Sequence, residues 1–214
     1  MDCHCEKCKG LSQIFDEAYV ESKLAEYRRD GPKKVSHWLI AALMERGVAG
    51  KELLDIGGGL GAIQHAFLDA GAARTINVDA APDFLEAAKR ESKRRGMEER
   101  IEHHFGDFLD LEDQLPEVDI VTLDKVICCY AHMEPLLRKS SAHAKQWLGL
   151  VYPRSTWWVR LMHGAENIWH AITGNPFRAY PHANAQVEGL LESLGWQPDF
   201  TRQDHYWKVA LYRR

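Results

Sequence analysis

Leu54-Asp55-Ile56-Gly57-Gly58-Gly59-Leu60-Gly61 decides the fold. The apolar run that enters it predicts a short buried strand over Glu52–Ile56. The glycines predict a tight turn that lets a ligand approach bare backbone. Apolar periodicity then resumes as a helix from Ala62 to Ala70.

Towards the C-terminus the same alternation continues. Strands are predicted over Thr75–Asp79, Ile101–Phe105, Val118–Leu123 and Gly149–Tyr152. Helices are predicted from Pro82 to near Gly96, from Met133 to about Leu148, over Trp157–Ile172 and over Ala183–Leu194. Gln197–Arg202 and Tyr206–Tyr212 close the chain as a strand pair. Such alternation implies an α/β fold, a Rossmann-like three-layer sandwich around a mostly parallel seven-stranded sheet with one antiparallel strand. Towards the N-terminus, Val35, Leu39, Ala42 and Leu43 mark a helix that stops at Gly47, with Pro32 in its first turn. Leu11 to Arg29 reads as one earlier helix. One domain over 1–214 is expected. It has a Cys-rich head and N-terminal helices at 1–50, a core at 51–214, and a lid insertion at about 155–182.

Carboxylates follow the strands at regular stations. Asp55 precedes the glycines, where it suits a ligand carrying an amino group rather than a pyrophosphate. Asp79 ends the second strand, where a carboxylate can accept from ribose hydroxyls. Asp107, in Gly106-Asp107-Phe108, is placed to take an adenine amino group while Phe108 covers the ring. A nicotinamide-dependent oxidoreductase also supplies the glycines and Asp79; Asp55, the Gly-Asp-Phe step and the closing hairpin point away from it.

These motifs resemble the class I S-adenosylmethionine-dependent methyltransferase family from about Glu52 to the C-terminus. Leu54 to Gly61 is similar to that family's first motif. Val78-Asp79, Gly106-Asp107 and Asp119-Ile120-Val121-Thr122-Leu123-Asp124 are similar to later ones. The resemblance implies S-adenosylmethionine as cofactor, a small-molecule methyl acceptor, and a cofactor site of Asp55, Gly57, Gly59, Gly61, Asp79, Ala80, Asp107, Phe108 and Asp124. A looser resemblance, to magnesium-protoporphyrin O-methyltransferases, rests on Leu123-Asp124-Lys125-Val126-Ile127, on Phe177-Arg178-Ala179-Tyr180-Pro181-His182, and on Tyr27. Those enzymes carry a histidine before the tyrosine at the position that holds Cys129 here.

Acceptor-side candidates are the residues after the fourth and fifth strands: Cys128, Cys129, Tyr130, His132, Tyr152 and Arg154. His132 is either a base that orients the acceptor or a cap for the following helix. Tyr130 either orients an acceptor oxygen or packs. Cys128 and Cys129 are either core residues or nucleophiles. The aromatic stretch Trp157, Trp158, Trp169, Phe177 and Tyr180 is either a lid over a flat or apolar acceptor or an aromatic core.

The totals narrow the setting. A formal net charge of −4 on 214 residues leaves no basic face for nucleic acid, and Lys89–Arg95 reads as a wet helix face. No apolar run reaches the ~18 residues of a membrane span. The beginning of the chain lacks a secretory or transit pattern, which predicts a cytoplasmic protein. Cys3, Cys5 and Cys8 crowd the start of the chain beside His4. They read as part of a zinc shell, as a reactive thiol tail, or as a thiol cluster that handles a soft thiol or metalloid substrate, and neighbouring Cys128 and Cys129 are too close for an unstrained bridge. A non-catalytic S-adenosylmethionine-binding sensor of metal or redox state is the alternative to an enzyme. Nothing in the sequence sets an oligomeric state.

Overall fold

The computed structural model describes residues 6–214, with side chains from Gly10 onward. Three helices precede the sheet: α1 (Glu6–Ile14), α2 (Glu17–Asp30) and α3 (Lys34–Glu45). The core then runs β1 (Glu52–Ile56), α4 (Ala62–Asp69), β2 (Arg74–Asp79), α5 (Pro82–Arg94), β3 (Ile101–Phe105), α6 (Phe108–Leu111) and β4 (Val118–Asp124). It continues through α7 (Met133–His143), β5 (Ala144–Pro153), α8 (Trp157–Ile172), α9 (Asn184–Ser193), β6 (Gln197–Gln203) and β7 (Trp207–Arg213).

The strands form one seven-stranded sheet in the order β3-β2-β1-β4-β5-β7-β6. All neighbours from β3 to β5 are parallel, while β7 runs antiparallel to both β5 and β6. The strand order reverses between β1 and β4, which opens a crevice beyond their carboxyl ends.

Leu53 and Leu54 show how the sheet separates two cores. Adjacent residues of a strand point to opposite faces. Leu53 joins Ile120, Val151, Val209 and Leu211 under Leu39 and Leu43 of α3 and Phe67 of α4. Leu54 joins Ile76, Val121, Leu123 and Leu148 under Leu136 and Leu137 of α7 and Leu191 of α9. That is the three-layer sandwich expected. Among the described residues no helix is long and apolar enough to cross a membrane.

Three local expectations are corrected. The helix expected over Leu11–Arg29 breaks between α1 and α2, because Asp16 adopts extended backbone and caps α2, accepting from the Tyr19 amide at 2.8 Å. α3 starts at Lys34, leaving Pro32 outside its first turn, since Lys33 is extended at ψ 148°. α7 ends at His143, and Ala144–Leu148 is strand rather than the end of a helix. Pairing overrides helix propensity there: Trp147 lies opposite Ile120 of β4 and Arg213 of β7.

α2 is tied to the core through Glu91 of α5, a fully buried carboxylate. It accepts from Arg28 of α2 at 2.9 Å, from Arg94 at 2.8 Å and from Arg95 at 3.0 Å. Those guanidiniums, Arg94 first, outweigh burial and hold its pKa down to about 2. A depressed carboxylate contributes stability above its unfolded pKa, and this is lost as pH falls from the usual 4.5 through about 2. Glu91→Gln should therefore cost on the order of 2 kcal/mol, less than a fully buried pair because water screens Arg28 and Arg94. Urea melts should also show wild type and variant converging as the pH is lowered through that window.

Candidate active site

The glycine turn is shaped by what lies beneath it. Asp55, at the end of β1, is buried and accepts from Thr122 Oγ1 of β4 at 2.6 Å and from Gln64 Nε2 of α4 at 3.1 Å. A Cβ on Gly58 would sit within 2.9 Å of Asp55 Oδ2 and 2.5 Å of Asn77 Oδ1, and would overlap Gln64 Nε2. Gly57, at φ +66°, faces the side chain of Val126, which a Cβ would strike. The turn thus presents bare amides because no side chain fits there. Burial, more than any charged neighbour, pushes the Asp55 pKa up to about 7.

Asp79 closes the turn from β2. Its Oδ2 accepts from the Gly59 amide and its Oδ1 from the Ala81 amide, each at 2.8 Å. Burial raises its pKa against the pull of those amides. At the end of β4, Asp124 accepts from Ser36 Oγ of α3, and Lys125 Nζ lies 3.1 Å from its Oδ1. The Lys125–Asp124 contact is one of charge: Oδ1 is buried and makes no hydrogen bond. Lys125 also donates to Ser36 Oγ at 3.0 Å and has φ +66°, a left-handed backbone that a side chain adopts at a cost.

Asp55, Gly57, Gly59, Asp79, Ala80, Phe108 and Asp124 line one cavity of about 430 Å³. Gly61 and Asp107 stand just behind its wall. Gly61, at φ +82°, starts α4. Asp107 caps α6 through the Leu109 amide at 3.1 Å and accepts from the Tyr130 hydroxyl. Phe108 is almost wholly buried, edge-on to His143, so only part of its surface reaches the cavity.

Tyr27 and Tyr130 both line the cavity, but both hydroxyls are engaged. Tyr27 shares a 3.1 Å hydrogen bond with His65 Nδ1 and stacks on that ring. Burial lowers the His65 pKa to about 4, which keeps the imidazole neutral. Burial, with Asp107 adding to it, raises the Tyr130 pKa and keeps its proton in place.

His132 was expected to face the acceptor or cap α7. It occupies the N-cap position of α7 without a side-chain cap bond, and it is exposed, lining a shallow surface groove with Arg138 and His182 rather than the cavity. The 3₁₀ turn Ile127–Cys129 consumes the span after β4, turning Tyr130 inward and His132 out. Cys129 lines the cavity; Cys128 does not, and its neighbour Cys129 together with burial keeps its thiol protonated. Tyr152 is buried beneath α9 with Glu188 3.4 Å from its hydroxyl, and Arg154 donates to the Asp204 carbonyl. Trp157 and Trp169 are exposed at the surface and do not line the cavity, while Phe177 packs against Leu11.

Cys3 and Cys5 lie outside the described residues, as does the side chain of Cys8. Among the described residues no three His, Cys, Asp or Glu side chains gather to hold a metal ion.

Other cavity residues had no signal in the sequence. Phe15 and Tyr19 of the N-terminal segment meet Phe84 of α5, with ring centroids 5.2 and 6.4 Å away, and form an aromatic wall. Ser36 belongs to a helix whose pattern shows only a core face. The strain at Lys125 is invisible in one dimension.

Comparison with known proteins agrees with this geometry. Residues 3–143 match the O-methyltransferase domain family. A ribosomal protein L11 methyltransferase of Alteromonas mediterranea is 33% identical over 105 residues, 46% of this chain and 36% of that protein. That of Yersinia pestis is 42% identical over 90 residues, 41% of this chain and 29% of that protein. The chain thus matches about a third of the length of these relatives. Among solved structures, a magnesium protoporphyrin IX methyltransferase from Synechocystis with bound SAH superposes with TM-score 0.66 at 17% identity, over 95% of this chain and 85% of that one. An O-methyltransferase family 2 protein from Planctomyces limnophilus in complex with apigenin gives 0.58 at 17% identity, over 86% and 62%. Both show a shared fold.

The raised pKa of Asp55 has a measurable consequence. A carboxyl whose folded pKa lies above its unfolded value favours folding at low pH. That contribution is lost as pH rises from the usual 3.8 through about 7. Asp55→Asn, with Gln64 turning its amide to present Oε1, should abolish this dependence. Wild type should therefore lose melting temperature relative to the variant across that range; a parallel pair of curves would refute the assignment.

Proposed function

This chain belongs to the O-methyltransferase domain family, and from that premise we propose that it is an S-adenosylmethionine-dependent methyltransferase that methylates an oxygen of a flat, largely apolar small molecule. The observation that carries the proposal is the single cavity joining the glycine cradle and its carboxylates to an aromatic wall.

The residues present fit the cofactor. Gly57 and Gly58 admit no Cβ and so leave the turn's backbone bare, and Asp124 Oδ1 is buried without a hydrogen bond. Asp79 would accept from the ribose hydroxyls and Phe108 would flank the adenine, with Asp107 behind the wall holding Tyr130 in place. The amides of the turn meet the aminoacyl end, with Asp124 and Ser36 at its amino group. Asp55 acts from below: its oxygens are taken by Thr122 and Gln64, so it shapes the turn instead of contacting the ligand. Bound S-adenosylmethionine supplies a methyl on a positively charged sulfur, which is transferred by in-line displacement.

The chain's own part is alignment and exclusion of water, together worth up to roughly 7–11 kcal/mol. Phe15, Tyr19 and Phe84 close the mouth over an apolar acceptor. Lys23 and Lys33, tethered to Glu26 at that mouth, favour an acceptor that arrives as an anion. A phenolate or carboxylate needs no strong base at the moment of transfer. Tyr130 serves as a positioning residue, because its hydroxyl is given to Asp107 rather than to the acceptor.

Labelled methyl should pass to phenols or aromatic carboxylates and not to thiols. Asp79→Asn should weaken S-adenosylhomocysteine binding about tenfold by calorimetry, since a hydrogen bond to a charged group is worth ~1.5–3 kcal/mol. Label on a thiol would replace the oxygen acceptor with a sulfur one and bring Cys129 into the chemistry.

A further inference from the structure

α8 turns much of its apolar surface outward. Besides Val159 and Trp158, its inner face carries polar side chains: His163 meets the Tyr206 hydroxyl at 3.0 Å, and Asn167 bonds both the amide and the carbonyl of Ala179. Six large apolar side chains face outward instead. Trp157 is 76% exposed, and Leu161, Met162, Ile168, Trp169 and Ile172 are each more than half exposed. Soluble helices put these faces the other way round.

At 100° per residue, Trp157, Leu161, Ile168 and Ile172 form a stripe along the whole helix, with Gly164 and Ala165 at its middle. The stripe carries no charged residue, and Arg160 lies at its margin. Among the described residues nothing packs against Gly164. A Cβ there meets nothing within 4 Å, yet glycine weakens a helix interior.

We propose that this face packs against the same face of a second copy of the chain, α8 against α8 in antiparallel register about a two-fold axis between Gly164 and Ala165. The spacing is the same from either end: four, three, one, three and four residues separate Trp157, Leu161, Gly164, Ala165, Ile168 and Ile172. In that register Leu161 faces the partner's Ile168, Trp157 faces the partner's Ile172, and the small residues let the two backbones approach at the centre. A self-complementary patch is what a two-fold interface requires. With Met162 and Trp169 flanking the stripe, the six exposed apolar side chains offer at most about 700 Å² per copy, given the ~150–250 Å² carried by each aromatic residue. This is close to the ~800 Å² per partner of a standard interface. An anionic bilayer fits less well: a membrane-surface helix has a Lys- and Arg-rich flank, whereas this face has Arg160 alone and the chain has a net charge of −4.

Sedimentation equilibrium of the full chain from low to high micromolar concentration tests this. Dimers are expected for wild type. Leu161→Lys and Ile168→Glu should each give monomers with unchanged circular dichroism. An equimolar mixture of the two variants should dimerise again, because one of the two Leu161–Ile168 contacts becomes an ion pair and the other stays apolar. Gly164→Ala should raise the melting temperature of the monomer while weakening the dimer. A wild type that stays monomeric would overturn the proposal, as would variants that still dimerise or a mixture that does not recover. Monomers that co-sediment with phosphatidylcholine–phosphatidylglycerol vesicles would overturn it in favour of a bilayer.

Discussion

The carboxylate of Asp55 is the constraint on which the rest of the site is built. It sits at the carboxyl end of β1, where the sheet reverses direction, and joins three elements distant in sequence: β1, β4 through Thr122 and α4 through Gln64. A carboxyl buried in this way carries a desolvation cost, and two donors only partly offset it. In return, the floor beneath Gly57–Gly59 is rigid and leaves no room for side chains. Asp79 then pins the turn from above by accepting from the Gly59 amide. The cradle is preorganised from both sides before any ligand arrives.

The cover over that cradle comes from a different part of the chain. α2 crosses the mouth and is fastened by Arg28 to Glu91 and by Tyr27 to His65. These contacts hold Phe15 and Tyr19 against Phe84, so an aromatic wall stands opposite the glycines. The acid-rich floor and most of the aromatic wall therefore come from different parts of the chain that are brought together at the cavity.

α8 shows a third principle. Elsewhere the chain places apolar side chains between layers, but here the hydrogen-bonded His163 and Asn167 face the body while Trp157 and Trp169 face out. Such a helix holds its place by directional bonds together with the burial of Val159 and the packing of Trp158 on Tyr206. Its exposed face is free to be buried by something else.

The sequence by itself determined the strand–turn–helix alternation, the seven-stranded sheet with its reversed strand, and the carboxylates at the ends of β1, β2 and β4. These are local: a strand end, a glycine and a helix start lie within a few residues, so periodicity and turn chemistry suffice to place them. Tertiary structure decided the rest. Ala144–Leu148 became strand because β4 and β7 flank it, and His132 swung outward because the 3₁₀ turn used up the span that was to aim it at the cavity. Ser36, Phe15 and Tyr19 reached the site across long stretches of chain. Which face of α8 turned inward was set by partners as distant as Tyr206. Contacts between residues far apart in the chain leave no periodic trace in one dimension, so only the packed layers bring them together.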